Sequence, residues 1–329
     1  MELLEVNKLS VAFNNGKEEV LAIDNVNFTL AKGEILGIVG ESGSGKSVTS
    51  LAIMKLIEEN NGIIKSGEIL FKGHNLLTIK EKEMCTIRGK NISMIFQEPM
   101  TSLNPVMTIY KQINEVLKIH NKDIANSKSY ILEVLDSLNI PEPELILHKY
   151  PFELSGGMRQ RIMIAMAVVC KPDIIIADEP TTALDVTTQA EILQLLKSIT
   201  EKTGTSIILI THDLGVIAEI AEKVMVMYRG RVVEQCSVHE FFKSPIHPYS
   251  HGLLKSMPDN FNGRFMSIQG NVPSINTKIE GCPFESRCSY CMEECKKNNP
   301  PLLNITDKHR VACWLRNCEN GGVALNGGE

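Results

Sequence analysis

No apolar run in this sequence approaches the ~18 residues that a membrane span requires. The longest, Ile162 to Cys170, is closed by Lys171. Basic charge is not in excess either: 34 Lys and Arg against 39 Asp and Glu leave a net charge of −5, which argues against a protein that binds nucleic acid through bulk charge. The opening residues, Met1-Glu2-Leu3-Leu4-Glu5, lack a basic stretch followed by an apolar one, so no secretory signal is expected. The chain is therefore expected in the cytoplasm, with any membrane role reached through partners. Internal repeats and heptads are also missing. With 43% hydrophobic and 22% charged residues the composition is ordinary for a globular protein and excludes disorder throughout. The length of 329 residues, at ~150 per domain, predicts about two domains with ample core.

Residues 1–255 alternate β-like and helical segments. Val6 to Phe13 and Val20 to Leu30 read as strands broken at Asn14-Asn15-Gly16. Glu34 to Val39, Asn91 to Phe96, Ile174 to Ala177 and Ser206 to Ile210 are further strand candidates. Continuous apolar runs of this kind suit strands buried on both faces of a parallel sheet. Helical character is expected over Val48 to Ile57, Ile109 to His120 and Ser129 to Leu138, with Pro141 and Pro143 breaking the last run. This alternation predicts a wound α/β domain carrying a helical insertion at about 98–165. Beyond about 255 the periodicity dissolves, and 256–329 reads as a small irregular extension that needs a staple to stay folded.

Two motifs carry chemistry on their own. Gly40-Glu41-Ser42-Gly43-Ser44-Gly45-Lys46-Ser47 fits the phosphate-loop pattern G-x-x-x-x-G-K-[ST] and lies between a strand and a helix, as that pattern requires. Its glycines let backbone N–H groups approach phosphate oxygens, and the following helix presents its positive end. Lys46 is expected to reach the β- and γ-phosphates and Ser47 to ligate Mg²⁺. The plain alternative is a Gly/Ser-rich turn that happens to end in Lys-Ser. The second motif, Ile174 to Pro180, is an apolar strand ending in Asp178-Glu179. Ligands bind at the carboxyl ends of such strands, so Asp178 can join the Mg²⁺ shell and Glu179 can polarise an attacking water. Alone, Asp-Glu before Pro180 would read as a surface turn.

A third segment, Leu154-Ser155-Gly156-Gly157-Met158-Arg159-Gln160-Arg161, opens a helix, and with the two motifs above it closely resembles the signature of ATP-binding-cassette (ABC) ATPases. The resemblance implies a P-loop α/β ATPase fold with a helical subdomain, ATP and Mg²⁺ as ligands, and two composite sites that form only in a dimer. It assigns Gln97 as the glutamine that touches Mg²⁺ and the attacking water, where the membrane partner docks. His212 is assigned to the γ-phosphate, Ala183-Leu184-Asp185 to the D-loop, and Phe13 to stacking on adenine. In the family Ser155, Gly156 and Gly157 bind the γ-phosphate of ATP held by the other protomer. The plain alternatives are a solvated His212 and a core Phe13. Phe96 to Pro105, His247-Pro248-Tyr249, Gly252-Leu253-Leu254 and Ile268, Gly270, Val272 and Pro273 narrow the likeness to the ATP-binding subunits of dipeptide and oligopeptide ABC transporters. Nickel and glutathione importers share much of this pattern. The expected partners are a second homologous ATPase subunit or a second copy, two transmembrane permeases, and an extracytoplasmic peptide-binding protein. The expected location is peripheral, on the cytoplasmic face of the cell membrane.

Nine cysteines are present, and Cys282, Cys288, Cys291, Cys295, Cys313 and Cys318 crowd the C-terminal end. In a reducing compartment such a cluster reads as a metal or iron–sulfur site before it reads as disulfides. The tail resembles the four-cysteine tail of peptide-importer subunits, which holds a 4Fe-4S cluster. The match falls on Cys282, Cys288, Cys295 and Cys313, with Pro283, Arg287, Pro301, His309 and Ala312 in register. Spacing leaves a Cys₄ zinc site, or no metal, as alternatives. Cys291 and Cys318 depart from the pattern. Cys85, Cys170 and Cys236 read as packed or surface residues. Two other functions compete: a soluble ABC ATPase acting on ribosomes or DNA, and a metabolic kinase, in which Leu154 to Arg161 would have no role.

Overall fold

Strand pairing divides the chain between two sheets in this computed structural model, which describes residues 2–14, 19–58, 61–120, 126–182, 184–257, 268–274, 277 and 279–315. The first sheet is four-stranded and antiparallel, ordered β2-β1-β4-β5, from β1 (Glu2–Asn14), β2 (Glu19–Ala31), β4 (Gly62–Phe71) and β5 (His74–Asn75). The second has eight strands in the order β11-β12-β10-β9-β3-β8-β7-β6. They are β3 (Ile35–Val39), β6 (Ile92–Ile95), β7 (Ile174–Asp178), β8 (Ser206–Ile210), β9 (Lys223–Tyr228), β10 (Arg231–Ser237), β11 (Leu303–Thr306) and β12 (His309–Val311). From β9 to β6 its neighbours run parallel, and from β9 outward to β11 they run antiparallel.

β3, β7 and β8 are buried at every residue. Alternate side chains feed two cores. Ile35, Val39, Ile175, Ala177, Ile207 and Leu209 join the core on one face. Leu36, Ile38, Ile174, Ile176, Ile208 and Ile210 join the other, under the antiparallel sheet. A strand with apolar side chains on both faces reads as a continuous run, which is why these were visible in the sequence. β1 and β2, read from the sequence as strands without a pairing, form an antiparallel pair in which Phe13 faces Val20. The short break between them can return a strand only antiparallel; a parallel partner needs a long crossover.

Helix α1 (Lys46–Ile53) begins at the lysine itself, two residues before the expected start. It is followed by α2 (Glu81–Ile87). Between β6 and β7 lie α3 (Pro99–Ser102), α4 (Ile109–His120), α5 (Ser127–Ser137), α6 (Pro143–Ile146) and α7 (Gly156–Val168). Their buried Ile113, Leu117, Ile131, Leu135 and Ile162, with Leu103 just after α3, join the first core. Pro143 starts α6 rather than only ending α5, because the first helical position needs no N–H donor. Then come α8 (Val186–Thr203), α9 (Leu214–Ile220), α10 (Val238–Lys243), α11 (Pro248–Lys255) and, in the tail, α12 (Glu293–Lys297).

The tail, expected as an irregular extension that needs a staple, packs against the preceding domain at several points. β12 pairs with β10, matching Val311 to Glu234, and continues the main sheet. Phe284 packs its ring 5.2 Å from Tyr228, 5.3 Å from Tyr249 and 5.9 Å from His247. Cys282, Phe284 and Cys295 belong to the first core. Periodicity missed this because the tail buries isolated residues from turns rather than one face of a regular element.

Candidate active site

The phosphate-loop motif occupies the carboxyl end of β3. Gly40 sits at φ 154°, and a Cβ there would lie 2.2 Å from the Met227 carbonyl oxygen. Gly45, at φ 99°, would place a Cβ 2.6 Å from Ile23 Cγ2. No other residue fits either position without moving backbone. Lys46 Nζ donates to the carbonyls of Gly40 at 2.7 Å and Glu41 at 3.1 Å, so the ammonium is held inside the curl of the loop. Burial pulls the Lys46 pKa below its ordinary value, while Glu179, Asp178 and Glu41 oppose that shift. Ser44 is buried and its hydroxyl has no partner, an open polar atom within the loop. Ser42, Gly43 and Ser47 are exposed or half-open toward solvent.

Asp178 ends β7 and is buried; burial raises its carboxyl pKa, against a hydrogen bond from Ser47 and the charge of Lys46. Ser47 and Asp178 thus already meet, offering hard oxygen donors of the kind Mg²⁺ prefers. Glu179 follows at φ 48°, left-handed backbone that costs a non-glycine residue about 1 kcal/mol. Its N–H donates to the Ile210 carbonyl at 2.8 Å, tying the ends of β7 and β8 together. Three side chains converge on its carboxylate. Gln97 Nε2 and Thr182 Oγ1 donate to Oε2 at 3.1 Å and 2.9 Å, and His212 Nδ1 lies 3.1 Å from Oε1. Burial pushes the Glu179 pKa up, but the bonds to His212 and Thr182 outweigh this and hold it below the ordinary value.

Residues after β6, β7 and β8 therefore meet at one edge of the sheet beside Lys46. Thr182 was missed by the sequence reading; its place three residues after Glu179, in a turn, was the available signal. Tyr249 was likewise not assigned here, yet its hydroxyl accepts the Glu41 N–H at 2.9 Å.

The signature segment lies apart from this cluster. Ser155 caps α7 by accepting the Met158 N–H at 3.3 Å. The side chains nearest Gly156 and Gly157 are Leu184 and Thr188; a Cβ on Gly157 would lie 2.7 Å from Thr188 Cγ2. Asp185 caps α8, accepting from Thr188 N at 3.0 Å and Oγ1 at 2.7 Å. The structure thus joins Ser155, Gly156 and Gly157, an exposed helix cap, to the Asp185 segment, whereas the neighbours of Gly40 and Gly45 in the phosphate loop are Met227, Ile23 and Gly230. Ala183 lies outside the described residues. Phe13 is half-buried on β1 beside Gly62 and Ile57.

The sequence profile of the ABC transporter family matches residues 23–182, and that of the oligopeptide/dipeptide transporter C-terminal region matches 233–295. The oligopeptide transport ATP-binding protein OppD of Bacillus subtilis is 51% identical over 317 residues, covering 95% of this chain and 88% of that protein. The dipeptide transport ATP-binding protein DppD of the same organism is 46% identical, covering 99% and 98%. The chain belongs to the ATP-binding subunits of ABC transporters. Among solved structures, the dimeric, ADP- and Pi-bound post-hydrolysis form of the ATP-binding cassette MJ0796 superposes with a TM-score of 0.64 at 29% identity, covering 71% of this chain and 98% of that one. CbiO1 of Clostridium perfringens gives 0.63 at 26% identity, covering 74% and 91%.

No helix among the described residues of this ABC ATPase is long and apolar enough to cross a membrane. In its tail, Cys282 and Cys295 are buried and joined through the Cys282 N–H and Cys295 carbonyl at 2.7 Å. Burial raises the Cys282 thiol to about 12 and the Cys288 and Cys313 thiols to about 11; neighbouring thiols of the set add to each shift. Among the described residues, no three of these sulfurs lie within 4.8 Å of one another; Glu234, Cys236 and His309 do. That trio is a hydrogen-bonded carboxylate and imidazole beside a packed thiol. The Glu234 carboxylate already receives His309 Nε2 at 2.8 Å and the N–H groups of Ile246 and His247 at 2.8 and 2.9 Å. Cys318 lies outside the described residues.

Proposed function

We propose that this ABC ATPase hydrolyses ATP to drive import of di- or oligopeptides. The observation that carries the reading is the convergence of Gln97, Thr182 and His212 on Glu179, beside Lys46 and Asp178. The loop from Gly40 to Ser47, with Lys46, would hold the β- and γ-phosphates. Phe13 would stack on the adenine. Ser47, Asp178 and Gln97 would hold Mg²⁺, whose charge would offset that developing on the phosphates. Glu179, kept ionised by its neighbours, would take the proton of the attacking water, and His212 would donate to a γ-phosphate oxygen. Ser155, Gly156 and Gly157 of a partner ATPase subunit, supported by its Asp185 segment, would close the site over ATP. The exposure of that cap and the dimeric form of the MJ0796 cassette support this arrangement.

Peptide cargo rests on relatives named for oligopeptide and dipeptide transport and on the match at 233–295. The machine would include a second ATPase subunit, two permeases and an extracytoplasmic peptide-binding protein, with this subunit peripheral at the cytoplasmic face of the cell membrane. The test is ATP-dependent uptake of labelled di- and oligopeptides into vesicles carrying the assembled complex. Uptake that needs this subunit supports the reading; uptake of nickel or glutathione alone would replace the cargo, and ribosome association without uptake would replace the function.

For the tail, Cys282, Cys288, Cys295 and Cys313 would hold a 4Fe-4S cluster. The thiols are soft donors near enough to perturb one another, a donor set that suits iron–sulfur chemistry. Such a cluster would supply a cross-link, and every proposed ATP contact lies before it in the chain. Anaerobic purification with iron analysis and visible absorbance tests this; zinc without iron would overturn it.

A further inference from the structure

The phosphate loop carries a carboxylate, Glu41, at the turn that is to receive a polyanion. Left unpaired, it would repel the triphosphate and compete for Lys46. The structure instead commits Glu41 completely, and it does so through the C-terminal tail. Arg287, 246 positions away, donates Nη1 to Oε2 at 2.6 Å and Nη2 to Oε1 at 3.1 Å, a two-pronged pair. The arginine side chain is only 5% exposed. Its Nε donates to the Gln269 carbonyl at 3.0 Å, and Nη1 and Nη2 also reach Tyr228 Oη and the Ile268 carbonyl at 3.4 Å. The guanidinium sits against the Tyr228 and Phe284 rings at 5.8 and 5.9 Å. Opposite, the buried Tyr249 hydroxyl accepts the Glu41 N–H, and Lys46 Nζ donates to the Glu41 carbonyl. Every donor of the flat guanidinium is aimed, which a lysine could not reproduce.

We propose that Arg287 is a positioning residue for the phosphate loop: it neutralises Glu41 and fixes the loop's first turn, so that the cysteine-rich tail sets ATP affinity. This rests on the reading of the loop as the ATP site. The test measures binding of a fluorescent ATP analogue to the purified subunit and, in the assembled complex, KM and kcat for ATP. Arg287→Ala is expected to raise the analogue Kd and the KM about tenfold, one uncompensated charge near the phosphates, with kcat changed much less. Arg287→Lys, which keeps charge but loses the second prong, falls between. Adding Glu41→Gln to Arg287→Ala removes the stranded carboxylate and recovers most of the lost affinity. Were Arg287 only packing the tail, that second substitution would recover nothing, and such a result overturns the proposal, as does unchanged affinity in both Arg287 variants. Failure of the wild-type subunit to bind the analogue would instead refute the ATP reading itself.

Discussion

Replacing Glu179 by glutamine isolates basicity from shape. Glutamine keeps the chain length and a carbonyl oxygen that can still accept from Gln97 Nε2 and Thr182 Oγ1, which both bond one carboxylate oxygen in the wild type. Its amide nitrogen then faces His212 Nδ1, which can accept from it. The left-handed backbone at φ 48° and the tie from the Glu179 N–H to Ile210 involve no side-chain atom and stay. What goes is the negative charge and the capacity to take a proton. A positioned general base contributes about a hundred- to ten-thousandfold. At 1.36 kcal/mol per tenfold this is about 3–5 kcal/mol of barrier. Phosphate release by the assembled complex should fall by that factor, while ATP binding stays within a few-fold and the closed dimer retains unhydrolysed nucleotide. A variant that releases phosphate within tenfold of wild type would show that Glu179 is not the base, whatever its geometry.

Three further outcomes follow from the packing. Gly45→Ala places a methyl 2.6 Å from Ile23 Cγ2 and 3.2 Å from Gly230 Cα in left-handed backbone; it should cost about 1–3 kcal/mol and lower the thermal midpoint, and an unchanged midpoint would refute the tight approach of loop and sheet. His309→Ala strips the buried Glu234 carboxylate of its imidazole partner at 2.8 Å and should cost about 2–4 kcal/mol, seen as faster proteolysis of the tail; wild-type resistance would refute the anchoring role. His247 is fully buried with its pKa pushed down to about 4, whereas the unfolded imidazole titrates near 6.5. The unfolded chain therefore binds the extra proton between those values, so stability is lost as pH falls from about 6.5 to 4, by roughly 3 kcal/mol. Burial pushes the nearby Glu234 carboxyl up, but the bonds from His309 and the His247 and Ile246 N–H groups outweigh this and hold it down; that adds a second loss at still lower pH. Urea unfolding at pH 7 and pH 5 reads this, and a slope that persists in His247→Asn would assign it elsewhere.

What could be read from the sequence was what is local. The loop from Gly40 to Ser47 needs its glycines at fixed offsets, and Asp178-Glu179 ends a run whose every side chain is buried, so both motifs announce their context. Gln97 and His212 are single residues after strands; only resemblance marked them, and only the fold brings them to one carboxylate. β1 and β2 were found as strands, but their antiparallel pairing in a separate sheet was not assigned, because strand residues do not by themselves say which strand they pair with. The tail was hardest. Phe284, Arg287 and His309 are solitary in sequence, and each finds its partner, Tyr228, Glu41 or Glu234, more than fifty residues away.

That last class of contact decides how the tail and the ATP site relate. Arg287 immediately precedes Cys288, and Phe284 lies two residues after Cys282, so the same short turn supplies two of the proposed cluster ligands and the two side chains that press on the phosphate loop's support, Tyr228 and Tyr249. A turn this short cannot be ordered at its cysteines and loose at its arginine. Whatever cross-links Cys282, Cys288, Cys295 and Cys313 therefore also lowers the entropy lost when Arg287 closes on Glu41. By linkage, ATP seated on an Arg287-braced loop favours the ordered tail by the same free energy. The coupling has a direction that can be measured without any knowledge of cargo: ATP should tighten the hold of those four thiols on the proposed cross-linking metal in an equilibrium competition with a chelator, and removing that metal should weaken ATP binding by the same factor.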